Sequence, residues 1–200
     1  MTTETEIRAL VPSVKEAIER LEASGFRVRD SVVQQDVMYD YPDGTLFKDG
    51  QKIRVRIEGK RATLTYKGKF QRSDGISQRD EIDIPIDTND THSLGRLLEA
   101  LGYPMLFQVR KNRTTLINRS VQATIDEWPI IGPMLEFEGL EGDILKCAAS
   151  IFPELEFGNP RLKDLFESEC KKLGKTLSQL KSEYQKDTGF DLGNIEFLLR

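Results

Sequence analysis

Residues 52–69 alternate between apolar and polar side chains with a period of two. Positions 53, 55 and 57 are apolar, whereas the positions between them are charged and include Arg54 and Arg56, a pattern typical of a strand with one apolar face. Gly59 allows a turn, and the alternation resumes after it as far as Lys67. We therefore predict a β-hairpin whose polar face gathers three cations. Such an arrangement is unfavourable unless an anion lies among them.

The same periodicity predicts most of the remaining elements. Period-two segments predict strands over residues 3–10, 26–41, 76–86, 107–116, 121–127 and 133–139. Apolar stripes at helical spacing predict helices over 13–25, 89–102 and 143–152, then a helical tail over 161–174 and 176–186. Residues 71–75 are predicted to form a polar loop. The result is an α+β layout dominated by an antiparallel sheet, which is either open or closed with its charged faces inward.

Charged residues occupy one face of almost every predicted strand, and their signs are sorted along the chain. The first and last strands carry the acidic residues Glu4, Glu6, Asp126, Glu136 and Glu138. The middle strands carry the cations Arg54, Arg56, Lys67, Arg79, Lys111 and Arg113. A solvated strand face explains any single charged pair, but an ordinary wet face would interleave the two signs. The sorting favours a binding site.

The composition excludes several broad classes of function. The chain has 200 residues and 38% hydrophobic content, which suits one compact domain with a modest additional element. A net charge of -4 argues against a general binder of nucleic-acid polymers or membranes, and no apolar run is long enough to span a bilayer. Cys147 and Cys170 lack the spacing of a disulfide framework or a thiolate metal site. We expect a cytoplasmic protein.

Carboxylates at alternate strand positions point to a hard divalent cation. They share one face at roughly 7 Å from each other, and two such pairs on neighbouring strands supply the oxygen ligands that Mg²⁺ or Mn²⁺ prefers. Zinc is not expected, because His92 is the only histidine. A metal beside arginines and lysines suits a polyphosphate, since the cations contact its non-bridging oxygens and the metal can activate a water molecule.

In order along the chain, these residues resemble the motifs of the CYTH superfamily, the triphosphate tunnel metalloenzymes. Residues 4–8 (ETEIR) resemble its opening ExExK motif, and residues 54–56 (RVR) resemble its RxR motif. Further matches lie at 36–46, 64–68 (LTYKG), 79–83 (RDEID), 111–113 (KNR), 125–126 (ID) and 135–138 (LEFE). The resemblance covers residues 3–150. Class IV adenylyl cyclases, thiamine triphosphatases and inorganic triphosphatases are members of this superfamily.

This resemblance implies an eight-stranded antiparallel β-barrel that forms a tunnel, with helices packed outside and a C-terminal helical tail. It implies that Mg²⁺ or Mn²⁺ binds Glu4, Glu6, Glu136 and Glu138, assisted by Asp126 and Glu81. It also implies that the triphosphate is bound by Arg54, Arg56, Lys67, Arg79, Lys111 and Arg113. The catalytic set expected from it is Glu4, Glu6, Arg8 and Asp126.

Arg8 departs from the family pattern, in which lysine is usual at this position. An arginine stays protonated at neutral pH, so we expect Arg8 to stabilise negative charge and not to act as a base. A metal-activated water is then the expected nucleophile.

The expected function is that of a metal-dependent phosphohydrolase acting on inorganic tripolyphosphate or on a nucleoside or thiamine triphosphate. Two alternatives stay open: a class IV adenylyl cyclase that converts ATP to cyclic AMP and pyrophosphate, and a non-catalytic module that binds polyphosphate or nucleotide. We expect a tunnel domain over residues 1–155 and a helical extension over 156–200 packed on the barrel, in a monomer or homodimer. The expected partner is a small molecule that carries a triphosphate.

Overall fold

The computed structural model describes residues 2–69, 71–73 and 76–199. Within these ranges the strands are β1 (Thr2–Leu10), β2 (Arg27–Tyr39), β3 (Lys52–Glu58), β4 (Arg61–Lys67), β5 (Gln71–Ser73), β6 (Ile76–Ile86), β7 (Met105–Ile117), β8 (Val121–Trp128) and β9 (Gly132–Gly139). Eight of them are the predicted strands with slightly shifted ends. The short β5 lies where a loop was predicted over 71–75, and Gly75 lies outside the described residues.

The eight longer strands close into an antiparallel barrel. Neighbouring strands follow the order β1-β9-β8-β7-β2-β3-β4-β6, and β6 pairs with β1 to complete the circuit. Each of these pairings is antiparallel, and β5 pairs with the first part of β6. The predicted α+β barrel is therefore confirmed. Periodicity did not decide whether the sheet is open or closed, and the structure shows that it is closed.

Six α-helices lie outside the barrel in the described part of the chain: α1 (Val14–Ala23), α2 (Thr45–Lys48), α3 (Thr91–Ala100), α4 (Glu141–Ile151), α5 (Leu162–Leu173) and α6 (Leu177–Thr188). α1 begins after Ser13, whose Oγ accepts a hydrogen bond from the backbone N–H of Glu16 at 3.3 Å and so caps the helix. α2 is a single turn that was not predicted. It follows Gly44, which has a φ of 70°.

The apolar faces of the strands point outwards and are covered by helices. α1 and α4 cover one side, where Leu21 and Ile144 belong to the same buried cluster as Ile7, Leu135 and Phe137 of β1 and β9. α3 covers β2 and β3 through a smaller cluster. Because successive strand residues point to opposite faces, this outward apolar packing turns the charged faces into the barrel.

The segment after α4 packs against the outside of the barrel at β7. It contains α5, α6 and a 3-10 turn over Ile195–Leu199. Phe166 and Ile195 are fully buried and share a cluster with Phe107 and Val109 of β7. We call residues 157–199 the C-terminal extension. Across the described ranges, no helix combines the length and the apolar character needed to cross a membrane.

Candidate active site

The charged faces of the strands line a cavity inside the barrel, here called the lumen. Its volume is about 490 Å³, within the range of small-molecule sites. All residues predicted for the site line it: Glu4, Glu6, Arg8, Arg54, Arg56, Lys67, Arg79, Glu81, Lys111, Arg113, Asp126, Glu136 and Glu138. The fold thus brings the whole predicted set together, while the role of each residue stays a prediction.

Asp126 is buried between two cations of the neighbouring strand. Lys111 Nζ donates a hydrogen bond to Asp126 Oδ2, and Arg113 donates from Nε and Nη2 to the two carboxylate oxygens at 2.5 Å. Burial would raise the pKa of Asp126, but Lys111 and Arg113 hold it well below its usual range. Burial lowers the pKa of Lys111 to about 8. Asp126 was predicted to bind metal; in this conformation its oxygens are occupied by the two cations.

Asp36 is a lumen residue that the sequence analysis did not assign to the site. It is 1% exposed, and it accepts hydrogen bonds from Arg56 Nε and Nη2 at 2.7 and 2.8 Å. Arg54 and Lys111 each lie 3.9 Å from its Oδ2. Burial opposes its ionisation, but Arg56 and Arg54 hold the pKa of Asp36 far below its usual value. The residues two positions before and after it are uncharged, so Asp36 is not part of a charged pair that strand alternation could have revealed.

Glu4 lies between Lys67 and Arg79. Lys67 Nζ donates to both Glu4 oxygens, at 2.7 and 2.9 Å, and Arg79 Nε donates to Oε2 at 3.0 Å. Glu81 completes this group, with Oε2 at 2.9 Å from Lys67 Nζ. Although burial raises the pKa of Glu4, the charges of Lys67 and Arg79 lower it to about 2. Glu4 is therefore ionised at neutral pH.

Glu6 and Glu138 are directly opposite each other on β1 and β9. Burial, together with the Glu136 and Glu4 carboxylates, raises the pKa of Glu6. Partial burial and the Glu4 carboxylate raise the pKa of Glu138 to about 7. Glu6 Oε1 is buried and accepts no hydrogen bond from the described residues. Ionisation of Glu6 and Glu138 is therefore disfavoured in this conformation, and a cation bound beside them would favour it.

Arg8 connects the lumen to the C-terminal extension. Its Nη1 lies 3.4 Å from Glu136 Oε1, and its Nη2 donates to the carbonyl of Pro160 at 3.1 Å. The backbones of Arg8 and Gly158 exchange two hydrogen bonds, of 2.7 and 3.0 Å. Arg113 Nη2 lies 3.4 Å from the other oxygen of Glu136. Glu136 is thus held between two arginines, one of which is positioned by the extension.

Two further lumen residues were not assigned from the sequence. Lys52 shares the inward face of β3 with Arg54, and the period-two pattern could have identified it. Burial, followed by the charges of Arg79 and Arg8, places the pKa of Lys52 well below its usual range. Trp128 also lines the lumen, with its ring centroid 4.5 Å from Lys111 Nζ. Its buried indole N–H has no acceptor within the described ranges.

The two signs of charge are nearly balanced in the lumen. Eight of its described lining residues are cationic and nine are acidic. The sorting of signs seen along the chain does not persist in space, because cross-strand contacts place Asp36, Glu81 and Asp126 beside cations. A buried cation is stable when it is paired, so the fold interleaves the signs. A polyanion entering this lumen must displace carboxylates from the cations or bring cations with it.

The glutamates near β1 suit Mg²⁺ or Mn²⁺ in their chemistry. Hard divalent cations take carboxylate oxygens as ligands. Glu6 Oε1 accepts no hydrogen bond from the described residues and lies 3.7 Å from Arg79 Nη2, on the strand face that also carries Glu4 and opposite Glu138. In this conformation, no three acidic, histidine or cysteine side chains of the described residues are close enough together to hold a metal. A metal held by these glutamates therefore requires their side chains to rearrange.

Solved structures of other proteins share this fold. The PH1819 protein of Pyrococcus horikoshii OT3 is 24% identical, with a TM-score of 0.63 over 82% of this chain and 99% of that chain. A Hippeastrum protein described as a candidate adenylyl cyclase with a dominant triphosphatase activity is 19% identical, with a TM-score of 0.59 over 88% of this chain and 98% of that chain. At these identities the likeness shows a common fold.

Sequence comparison also finds a relative of this chain and a family to which it belongs. A Methanocaldococcus jannaschii protein that is provisionally named an adenylate cyclase is 28% identical over 142 residues, which is 70% of this chain and 79% of that protein. The model of the CYTH domain matches residues 2–156, which include every lumen residue described above. The predicted family is confirmed: the chain belongs to the CYTH domain family.

Proposed function

We propose that this protein is a divalent-metal-dependent phosphohydrolase that cleaves a phosphoanhydride bond of a triphosphate bound in the lumen. The observation that carries the proposal is the meeting, in one closed barrel, of six predicted phosphate-binding cations with the facing carboxylates of Glu6 and Glu138. CYTH proteins bind triphosphate substrates and are generally metal-dependent, which supports the same function.

The cations come from four strands, β3, β4, β6 and β7, so they can contact a chain of three phosphates from several sides. Arginine presents a planar fork that matches pairs of phosphate oxygens, and lysine adds a compact charge. On binding, Arg54 and Lys67 would exchange carboxylate contacts for phosphate contacts. Asp36 and Asp126 would keep Arg56 and Arg113 in position, because each pair is joined by two charge-assisted hydrogen bonds.

Glu4, Glu6 and Glu138 would hold the metal, with Glu136 next along β9. When bound, the metal supplies charge neutralisation and an activated water. The Arg8 guanidinium, held between Glu136 and Pro160, would stabilise the negative charge that develops on the phosphoryl oxygens. Glu81 and Asp126, also expected among the ligands, would instead position Lys67 and the β7 cations.

A second candidate function is that of an adenylyl cyclase. Its support is the provisional name of the Methanocaldococcus jannaschii relative. In that reaction the ribose 3′-hydroxyl attacks the α-phosphate and pyrophosphate leaves, so the same lumen cations would serve. The two candidates differ in the phosphorus atom that is attacked and in the nucleophile.

The deciding experiment is a product assay on untagged protein, because Glu4 lies close to the N-terminus. The protein is incubated with Mg²⁺ or Mn²⁺ and, separately, with tripolyphosphate, ATP and thiamine triphosphate, and phosphate, pyrophosphate and cyclic AMP are quantified. A Glu6→Gln/Glu138→Gln double variant tests the metal site. Glu127→Gln is the matched control, because this residue is exposed on β8 and does not line the lumen.

We expect phosphate release that the double variant loses and the control keeps. Cyclic AMP with an equal amount of pyrophosphate would instead support the cyclase. Tight tripolyphosphate binding without any product would favour a non-catalytic module. If the protein formed no product and bound tripolyphosphate no better than sulfate, all three functions would be excluded.

A further inference from the structure

A second cavity opens at the end of the barrel where β1 finishes and β3 begins. Its volume is about 530 Å³. The antiparallel strand order places Arg8, near the end of β1, and Lys52, at the start of β3, at the same mouth. Both residues line this mouth cavity as well as the lumen. The two cavities are therefore neighbours that share a cationic wall.

The apolar walls of the mouth cavity come from two separate parts of the chain. Phe47 of α2 packs edge to face against Phe197 of the C-terminal extension, with ring centroids 6.2 Å apart. Leu162 and Leu198 of the extension add to this lining. Phe197 also lies so close to Gly44 that a β-carbon added at Gly44 would be 1.6 Å from the ring. Five of the eleven described lining residues thus lie beyond the CYTH match at 2–156.

The charges around the mouth cavity discriminate between kinds of ligand. Arg8, Lys48 and Lys52 are part of its lining, and Asp49 is the single acidic residue among the described lining residues. The Asp49 carboxylate is already 3.0 Å from Lys69 Nζ. A cationic ring would therefore meet net repulsion here. A neutral flat ring would bury apolar surface against Phe47, whose ring is half-buried, and could stack with a cation.

We propose that the mouth cavity binds the uncharged, flat base of a nucleoside triphosphate whose phosphates lie in the lumen, and that the C-terminal extension is therefore part of the substrate site. This inference rests on the function proposed for the lumen. Arg8 and Lys52, at the junction, would contact the phosphate nearest to the nucleoside. Inorganic tripolyphosphate would leave the mouth cavity unused, and thiamine triphosphate would place a cationic ring beside Lys48.

The test compares the binding of two non-hydrolysable ligands by calorimetry in the presence of Mg²⁺: a methylene-bridged ATP analogue and a methylene-bridged analogue of tripolyphosphate. We expect the wild-type protein to bind the ATP analogue at least about tenfold more tightly. Phe47→Ala should weaken the ATP analogue by about tenfold and the tripolyphosphate analogue by less than about twofold. Leu173→Ala, an exposed position of α5 outside both cavities, is the control and should change neither.

A measurement on the wild-type protein keeps the test independent of the stability of the variant. Hydrogen exchange of residues 195–199 should slow when the ATP analogue binds and stay unchanged with the tripolyphosphate analogue. Equal wild-type affinities, equal losses in Phe47→Ala, or no protection of 195–199 would overturn the proposal while leaving the lumen function intact. Binding of neither analogue would overturn the lumen function and this proposal together.

Discussion

Glu6 and Glu138 face each other across the β1–β9 pair, inside the lumen. Burial and the Glu4 carboxylate raise the pKa of both. Carboxylates directly opposite on neighbouring strands repel each other. The fold keeps them there although the same strand pair elsewhere matches opposite charges, as at Arg8 and Glu136. Facing carboxylates cost stability when both are ionised, and a cation bound at the proposed site would offset that cost.

Removing one of the facing charges should stabilise the metal-free protein. Without metal and above about pH 7, where Glu138 is ionised, we expect Glu138→Gln to raise the free energy of unfolding by about 0.2–1 kcal/mol, because it removes a like-charge pair. Mg²⁺, which should stabilise the wild-type protein by binding its native state, should stabilise the variant less. Urea unfolding with and without Mg²⁺ measures both effects, with Glu127→Gln as the control. A variant that lost stability and kept the full response to Mg²⁺ would contradict the assignment.

Replacing Asp36 should destabilise the protein strongly. Asp36→Asn removes the buried carboxylate charge that accepts two hydrogen bonds from Arg56, which should cost about 3–5 kcal/mol at pH 7. Since folding lowers the pKa of Asp36, its charge contributes stability above the ordinary value of 3.8, and this contribution is lost as the pH falls below it. The gap between wild type and variant in urea unfolding should therefore shrink below about pH 4.

Asp30→Asn is the control for that measurement. Asp30 lies on the same strand, but its ion pair with Arg29 is solvent-exposed. We expect a change within about 0.5 kcal/mol. An Asp36→Asn variant as stable as this control would show that the lumen cations do not depend on Asp36.

Arg54 should contribute to triphosphate binding more than to stability. Its guanidinium lies 3.9 Å from Asp36 and 4.0 Å from Glu81, so both ion pairs are long. Loss of a charge-assisted contact to phosphate in Arg54→Gln should reduce tripolyphosphate affinity by about tenfold or more. Trp128, the single tryptophan of the chain, lies in the lumen and allows a fluorescence titration.

Arg61→Gln is the control for the titration, because Arg61 is exposed on β4 and lies outside the lumen lining. It should bind tripolyphosphate like the wild-type protein. Equal affinities of the Arg54 and Arg61 variants would remove Arg54 from the proposed site.

Contact between Gly44 and Phe197 should hold the end of the C-terminal extension in place. Gly44→Ala combines a strained positive φ with a clash against the Phe197 ring. Gly102→Ala has a similarly positive φ of 92°, but the β-carbon it adds meets no described atom within 4 Å. We expect about 1–2 kcal/mol of destabilisation in Gly102→Ala from strain alone, and more in Gly44→Ala.

Limited proteolysis should release residues 190–200 faster in Gly44→Ala than in Gly102→Ala. Equal rates would mean that the contact does not hold the extension.

Local pattern predicted the strands and which of their faces are charged. Alternation placed Glu4, Glu6 and Arg8 on one face and Arg54 and Arg56 on another, and the structure has both faces in the lumen. This worked because the direction of a strand side chain depends on its position in an extended backbone and not on distant partners. The single-turn α2 was missed, since four residues are too few to show a helical period.

Contacts between distant segments could not be predicted in the same way. Lys67 meets Glu4 across 63 positions of sequence, and Arg8 reaches Pro160 across 152. Asp36 gave no local signal because its importance comes from Arg56 and Lys111, which reach it from neighbouring strands. The mouth cavity combines α2 with residues beyond 160, so neither part suggested it separately.

The sequence by itself determined the elements, the inward charge of the strands and, through the order of its motifs, the family. The tertiary structure decided that the sheet is closed, which carboxylate neutralises which cation, and that Glu6 and Glu138 are left facing each other. The physical reason is the distance along the chain over which each kind of interaction acts. Side-chain alternation and helix capping are set by a few neighbouring residues, whereas burial, ion pairing and pKa depend on strands that meet only when the barrel closes.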